Sequence, residues 1–420
     1  MEKVVIIGGG ITGITVAKEL KTPCRIIEKD ERPGGLLKSY LVDDFIFDSD
    51  AHFLHFRYPE IRREVLQKCG HFLKSHRKYA GVYFQGKVIP FPVQKHLAHF
   101  PPPFSHRILT EIMEVRRKKR VVATVKEFLL HRYGKTFYRV FFLPYFRKLF
   151  GINLQEIPLE EIIRFFPQES LPEIIRGYLT LEVTCSGYNR EFYYPERGGM
   201  ESFYRMWMEE ELPVETNQKV EKIYWKERRI LTGEGTSINY EYLVYTGSLP
   251  DLPSLLDPPP PFTRERFFSN EVVCLNVGGE GKMEVEHQWL YFPEREFSFF
   301  RVGFYHRISP CLAPPGHFSL YVEISNPRRE TFSRDKVLED LERAGILKSK
   351  HRIKVVHPVR IKPAYPLFLG KRAEKERIIQ WLRKQNIYTG GRFGLWHYSS
   401  IEDCIRGAKG IAWELNRKLG

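Results

Sequence analysis

The sequence has no Cys-x-x-Cys pair. Its six cysteines, Cys24, Cys69, Cys185, Cys274, Cys311 and Cys404, are scattered along 420 residues. That spacing excludes a dithiol site and a thiolate metal centre. No run of about 18 apolar residues is present, so no transmembrane helix is expected. No apolar h-region precedes the first strand-like run, which begins at residue 3. Together these absences give a cytoplasmic expectation. Internal repeats and low-complexity tracts are missing too, which removes solenoids and disordered arrays. No basic run has the length and aromatic interleaving of a nucleic-acid platform, so no nucleic-acid partner is expected.

What is present is ordinary globular material, with 28% charged and 42% apolar residues. The length allows two or three domains and a large core. The formal net charge is +15. That excess either solvates the surface or favours an anionic substrate. The densest basic cluster, Arg116 to Arg120 (RRKKR), reads as an exposed helix face or loop. Attraction to a membrane surface is its sharper alternative, and the expected membrane contact is at most peripheral. The sequence carries no signal for an oligomeric state.

IIGGGITGIT, residues 6–15, places Gly8, Gly10 and Gly13 at G-x-G-x-x-G spacing. An apolar strand pattern at 3–8 precedes the loop, a helical pattern at 11–20 follows it, and the strand 24–28 ends on Glu28. Gly8 permits the tight turn, Gly10 lets backbone approach a pyrophosphate, and Gly13 lets helix and strand pack closely. The helix start, with Ile11 and Thr12, favours negative charge. Glu28, with Lys29 beside it, stands where a dinucleotide fold needs a carboxylate for a ribose hydroxyl. The alternative is a glycine-rich turn in another α/β fold.

Further on, residues 40–56 and 79–92 read as hairpins turning at Asp43-Asp44 and Gln85-Gly86. A helical stretch is expected from about 104 to 150, interrupted near Gly134 and Pro144, with its aromatics mostly in the core. Residues 192–208 read as a loop opening a helix. Strands are expected at 219–246 and 272–324, and helices at 334–345, 373–384 and 400–419. Residues 387–394 read as a strand running into a glycine turn. The region 151–191 reads either as a mobile lid or as a static connection.

The succession GGGITG, Glu28, PGG at 33–35, FDSDAHFLHF, YPERGGM, LVYTG and TGGRFGLWHYSSIEDCIRGAKG resembles the FAD-dependent amine-oxidase-like flavoenzymes. That superfamily includes UDP-galactopyranose mutase, protoporphyrinogen oxidase, the amine oxidases and the carotene desaturases. The resemblance covers most of the chain and is strongest at its two ends. It implies an α/β fold: a Rossmann-like, glutathione-reductase-type FAD domain with an inserted α+β substrate domain. The FAD domain would comprise 1–75, 214–250 and 385–420. The segment 76–213 would be a mainly helical cap, and 251–384 a strand-rich substrate domain.

For FAD, the resemblance implies contacts from Gly8, Gly10, Ile11, Thr12, Gly13, Glu28 and Lys29. It adds Gly34, Gly35 and Leu36 from the second glycine pair, His52, Val220, Gly391, Arg392, Ser400 and Ile401. The mutase-like branch fits best. AHFLHF resembles the mutase histidine segment and puts His52 beside the flavin. LPYFRKLFG resembles the segment that packs on uracil and points to Tyr145. PAYP points to Tyr365, GGRFGLWHY to Arg392 and Tyr398, and FFRVGF loosely to Arg301. His52, Arg301, Tyr365, Arg392 and Tyr398 are thus the expected catalytic set. Tyr145, Arg301, Tyr365 and Tyr398 are the expected substrate contacts. Phe150 stands where mutases commonly carry Trp, and Arg190 is out of pattern for their mobile-loop arginine. From the residues alone, Arg392 also fits a salt bridge, and His52, Tyr365 and Tyr398 also fit core packing.

Two activities follow from the resemblance. One is ring-size interconversion of a nucleotide sugar through reduced flavin, with no net redox change. The other is hydride transfer to FAD from a porphyrinogen or an amine. An anionic small molecule, a nucleotide sugar or a porphyrinogen, is the expected substrate. A flavin-binding protein without catalysis has no residue arguing for it.

Overall fold

Val4, Val5 and Ile6 are fully buried in the strand Glu2–Ile7. A strand buried on both faces belongs at the centre of a parallel sheet. In the computed structural model, Glu2–Ile7 lies between Cys24–Ile27 and Ser237–Tyr245, parallel to both. Val214–Glu215 adds beyond Cys24–Ile27, and Ile387–Thr389 beyond Ser237–Tyr245. The structure describes residues 1–420 apart from 119, 167–168, 184–189, 209–211 and 326–331. Numbered along the chain, the five parallel strands run 3-2-1-4-5 across the sheet. The order reverses between Glu2–Ile7 and Ser237–Tyr245. Open α/β sheets bind ligands at the carboxyl ends of the strands flanking that reversal. Arg229–Thr232, Val220–Tyr224 and Leu256–Asp257 extend the sheet on one side.

The two faces of this sheet are covered by different helices, as strand alternation requires. Val4, Ile6 and Val244 pack with Ile14 and Val16 of the helix Ile11–Glu19 and with Ile405, Ala408 and Leu415 of the helix Ile401–Leu419. Val5, Ile27 and Leu243 pack instead with Leu382 of the helix Arg372–Lys384. The last helix starts at a capping box, in which Ser400 and Asp403 satisfy each other's backbone amides.

A second sheet of seven strands carries the other half of the chain. Its order is Arg352–Ile361, Val272–Glu280, His317–Ser325, Arg301–Phe304, Trp289–Tyr291, Ala80–Phe84 and Lys87–Pro90. Pairing is antiparallel except between Trp289–Tyr291 and Ala80–Phe84. The expected turn at Gln85-Gly86 is present, with φ of 48° and 79°. So is the hairpin Ser39–Val42/Phe45–Asp48, turning through Asp43 and Asp44 at φ 46° and 65°.

Helices Pro102–Arg116, Val125–Phe137 and Leu143–Phe150 cap the second layer. The expected interruptions both occur. Gly134 leaves the helical region at φ 77°, and Pro144 sits in the first turn of Leu143–Phe150. Beyond Gly151 come the helices Leu159–Ile162 and Leu171–Leu179. The basic cluster differs from the sequence reading at its first residue. Arg116 is half-buried and donates to the carbonyls of Arg132 and Glu169. Arg117, Lys118 and Arg120 are exposed. Residues 192–208 also differ, because Glu191–Pro195 is a strand paired with Leu73–Arg77 before the helix Gly199–Met208 begins. Cys185 lies outside the described residues, and the other five cysteines are free thiols. Among the described residues, no helix is long and apolar enough to cross a membrane, and no His/Cys/Asp/Glu group has metal-site geometry.

Candidate active site

The glycine loop turns at the strand reversal. Gly8 adopts φ 108° and its amide donates to the Ile27 carbonyl at 2.8 Å. A Cβ on Gly13 would lie 2.0 Å from the Gly8 carbonyl oxygen, so only glycine lets this helix meet this strand. Thr246, at the end of the neighbouring strand, fixes the same turn by donating from its amide and hydroxyl to the Ile7 carbonyl. Both oxygens of Glu28 accept backbone amides, from Gly9 at 2.7 Å and Asp30 at 2.9 Å. Each oxygen keeps a further lone pair for a hydroxyl.

The second glycine pair closes on the first loop. Gly34 donates to the Gly9 carbonyl at 3.0 Å, and the Tyr204 hydroxyl donates to that carbonyl at 2.7 Å. Gly10 and Gly35 face each other without side chains. The helix Ile11–Glu19 has no side-chain cap and no acid in its first turn. The result is a bare backbone cradle ending at an uncapped helix N-terminus, which suits a pyrophosphate.

This cradle forms one end of a cavity of about 1290 Å³. The cavity runs between the carboxyl end of the parallel sheet, the aromatic helices and the second sheet. Gly8, Gly10, Ile11, Thr12, Glu28, Lys29, Gly34, Gly35, Leu36 and Val220 line the cradle end. His52, Tyr145, Arg301, Tyr365, Gly391, Arg392, Tyr398, Ser400 and Ile401 line the rest. Of the expected site residues, Gly13 alone lies behind the wall, where it serves the packing described above. Arg190 is exposed and does not line the cavity, although its carbonyl accepts the amide of the lining residue Lys78. Ile162, Arg164 and Phe166 from the 151–191 region form part of the wall. Ten lysines and arginines line the cavity against six aspartates and glutamates among the described residues.

Arg392 is held by backbone. Its Nε and Nη2 donate to the Ala364 carbonyl at 3.3 and 2.8 Å, and Nη1 donates to the Ser399 carbonyl at 3.2 Å. The guanidinium lies 4.2 Å from the Tyr398 ring centre and 5.7 Å from that of Tyr365. Among the described residues no carboxylate pairs with it. Tyr365 is set by Asn270, which accepts its amide at 3.0 Å and donates to the Leu149 carbonyl at 2.7 Å. The Tyr365 ring meets Phe150 edge-on, 6.2 Å between centres, and that of Tyr145 meets Tyr291 the same way at 5.7 Å.

His52 shows another environment. Burial, backed by the charges of Arg392 and Arg301, pushes its imidazole below the ordinary value, so the ring is neutral. Arg301 is paired with Glu323, Nη2 to Oε1 at 2.7 Å and Nε to Oε2. Sequence reasoning missed four contributors. Thr246 gave no motif. Glu402 accepts the amides of Arg57 and Tyr58 and so anchors the segment after His52. Glu323 carried a readable signal as the lone acid in the stretch His317–Ser325, whereas Asp50 sits beside Asp48 in FDSDAHF.

Comparison with known proteins assigns this arrangement. A family model described as flavin containing amine oxidoreductase matches residues 11–339, more than three quarters of the chain. The chain belongs to that family. As a flavin containing amine oxidoreductase it takes FAD as its cofactor. Solved structures share the fold. A reduced UDP-galactopyranose mutase is 22% identical with a TM-score of 0.92, over 100% of this chain and 96% of that one. A protein assigned as a protoporphyrinogen oxidase, from Exiguobacterium sp. 255-15, is 17% identical with a TM-score of 0.77, over 99% of each chain. Cyclohexylamine oxidase from Brevibacterium oxydans IH-35A is 15% identical with a TM-score of 0.72, over 100% of this chain and 99% of that one. At these identities the likeness is one of fold.

Proposed function

We propose that this flavoenzyme is a mutase-like isomerase acting on a nucleotide sugar, interconverting the galactofuranose and galactopyranose forms of a UDP-sugar. Arg392 carries the reading. A guanidinium held by two carbonyls, stacked on Tyr398 and free of any described carboxylate, is a charge placed for an anion. The basic excess of the cavity lining supports the same substrate class.

In this reading the glycine cradle, Glu28 and the uncapped helix start would hold FAD, and His52 would stand on the flavin side of the cavity. Reduced FAD supplies a nucleophilic nitrogen for the anomeric carbon, and oxidised FAD supplies a hydride acceptor. Arg392, Tyr365 and Tyr398 hold the diphosphate, and Tyr145 packs on the uracil. Neutral His52 adds no charge beside the cofactor. The aromatic walls keep water from the sugar. We place the enzyme in the cytoplasm.

A second reading is an oxidoreductase that passes hydride from a substrate to FAD. It draws on Arg301, whose pairing with Glu323 leaves it neutralised and removes one arginine from the anion site. Anaerobic mixing separates the two. Bleaching of the oxidised flavin by an amine or a porphyrinogen favours hydride transfer. A flavin band perturbed by UDP-galactose without bleaching favours the isomerase.

A further inference from the structure

The helices Pro102–Arg116 and Leu171–Leu179 pack against each other. Hydrogen bonds at both ends show that they run antiparallel. Arg116, closing the first helix, donates to the carbonyl of Glu169, just before the second. His99, ahead of the first, donates from Nε2 to the carbonyl of Leu181, just past the second, at 3.2 Å. The loops at that end therefore meet, and both present apolar residues to solvent. Pro101, Pro102 and Pro103 are exposed. So are Leu179, Leu181 and Val183, the two leucines at 70% and 67%. Glu182, between them in sequence, pairs with Arg176 at 2.7 Å. A lone exposed leucine is ordinary, but six apolar residues gathered at one corner mark a contact surface.

The surface leading away from this corner is basic. Pro102–Arg116 buries Ser105, Ile108 and Ile112. Its exposed stripe carries His106, Arg107, Thr110 and Glu114, and leads to Arg117, Lys118 and Arg120. Glu111 is withdrawn from the stripe, since its carboxylate accepts the Thr136 amide and hydroxyl. Val121 follows, 96% exposed. Over about 22 Å of helix, cations thus lie between apolar residues at either end. Solvation accounts for the cations but leaves the apolar corner without a role. A bilayer surface with anionic headgroups suits both: apolar side chains enter the acyl boundary and the cations meet phosphates.

We propose that this face docks the enzyme onto an anionic membrane surface, with Pro102–Arg116 lying along it. The contact is peripheral, since no described helix is long and apolar enough to cross a bilayer. It holds for either reading of the cavity, because none of these residues lines it.

The test is cosedimentation of the full-length flavoprotein with vesicles of phosphatidylglycerol and phosphatidylcholine, and with phosphatidylcholine alone. Wild type should bind the anionic vesicles only. R117Q/K118Q/R120Q should lower the partition coefficient about 100-fold. L179D/L181D should lower it about tenfold or more. K371Q/R372Q/R377Q removes as many charges from another exposed helix start and should change it less than about threefold. Flavin content and Tm of each variant should match wild type, which shows that it is folded. No binding to anionic vesicles, or equal binding to phosphatidylcholine alone, overturns the inference. So does wild-type binding by L179D/L181D, or a loss in K371Q/R372Q/R377Q as large as that in R117Q/K118Q/R120Q.

Discussion

Gly391 and Thr12 touch where the last segment of the chain meets the first helix. A Cβ on Gly391 would lie 2.4 Å from the Thr12 hydroxyl oxygen, and the residue sits at φ 77°. Residues 379 positions apart in the chain therefore close one end of the cavity. Gly391→Ala should lower flavin retained per protein, read by absorbance after gel filtration, and should lower the Tm. Thr12→Ala removes the clashing atom. The double variant should recover part of the loss, with a coupling of about 1 kcal/mol or more. Additive effects would contradict the contact.

Arg392→Lys keeps the charge and loses the planar fork between Ala364 and Ser399. KM for the nucleotide sugar should rise about 10- to 100-fold, with flavin retained because the glycine cradle is untouched. Steady-state kinetics on the reduced enzyme checks this.

Asp48 gives a pH signature. Burial pushes its carboxyl from 3.8 up to about 6, although Ser39, Tyr194 and the Met200 amide donate to it. The folded state then binds more protons than the unfolded state between those values. Stability from this group is complete below about pH 4 and falls by about 3 kcal/mol as pH rises through 6. Urea unfolding at several pH values should show that slope in wild type and its absence in D48N.

Lys148 donates to the carbonyls of Phe292, Glu294 and Phe299, tying the helix Leu143–Phe150 to the second sheet. Lys148→Met removes a donor shared by three carbonyls, of which that of Glu294 keeps the Phe297 amide, and should cost about 2 kcal/mol in chemical denaturation. Turnover of the folded fraction should be unchanged, because the side chain lies outside the cavity lining.

The parts of the fold legible in the sequence were those set by local chemistry. Gly8 and Gly13 mark a turn and a close approach, Asp43-Asp44 a tight hairpin, and Gly134 and Pro144 the breaks in a helical run. The strand Glu191–Pro195 was not legible, because its partner Leu73–Arg77 lies more than a hundred residues away. The same holds for the site. His52, Arg392 and Tyr398 sit in motifs, and the cavity brings them together. Thr246 and Glu402 depend on contacts across the chain, and no spacing announces such contacts.

The most direct measurement is product analysis under nitrogen with purified, dithionite-reduced protein and UDP-galactofuranose. Formation of UDP-galactopyranose that requires reductant and fails in Arg392→Lys at low substrate is the predicted result. No conversion by a sample whose flavin content is confirmed would contradict the isomerase account and leave hydride transfer as the reading to pursue.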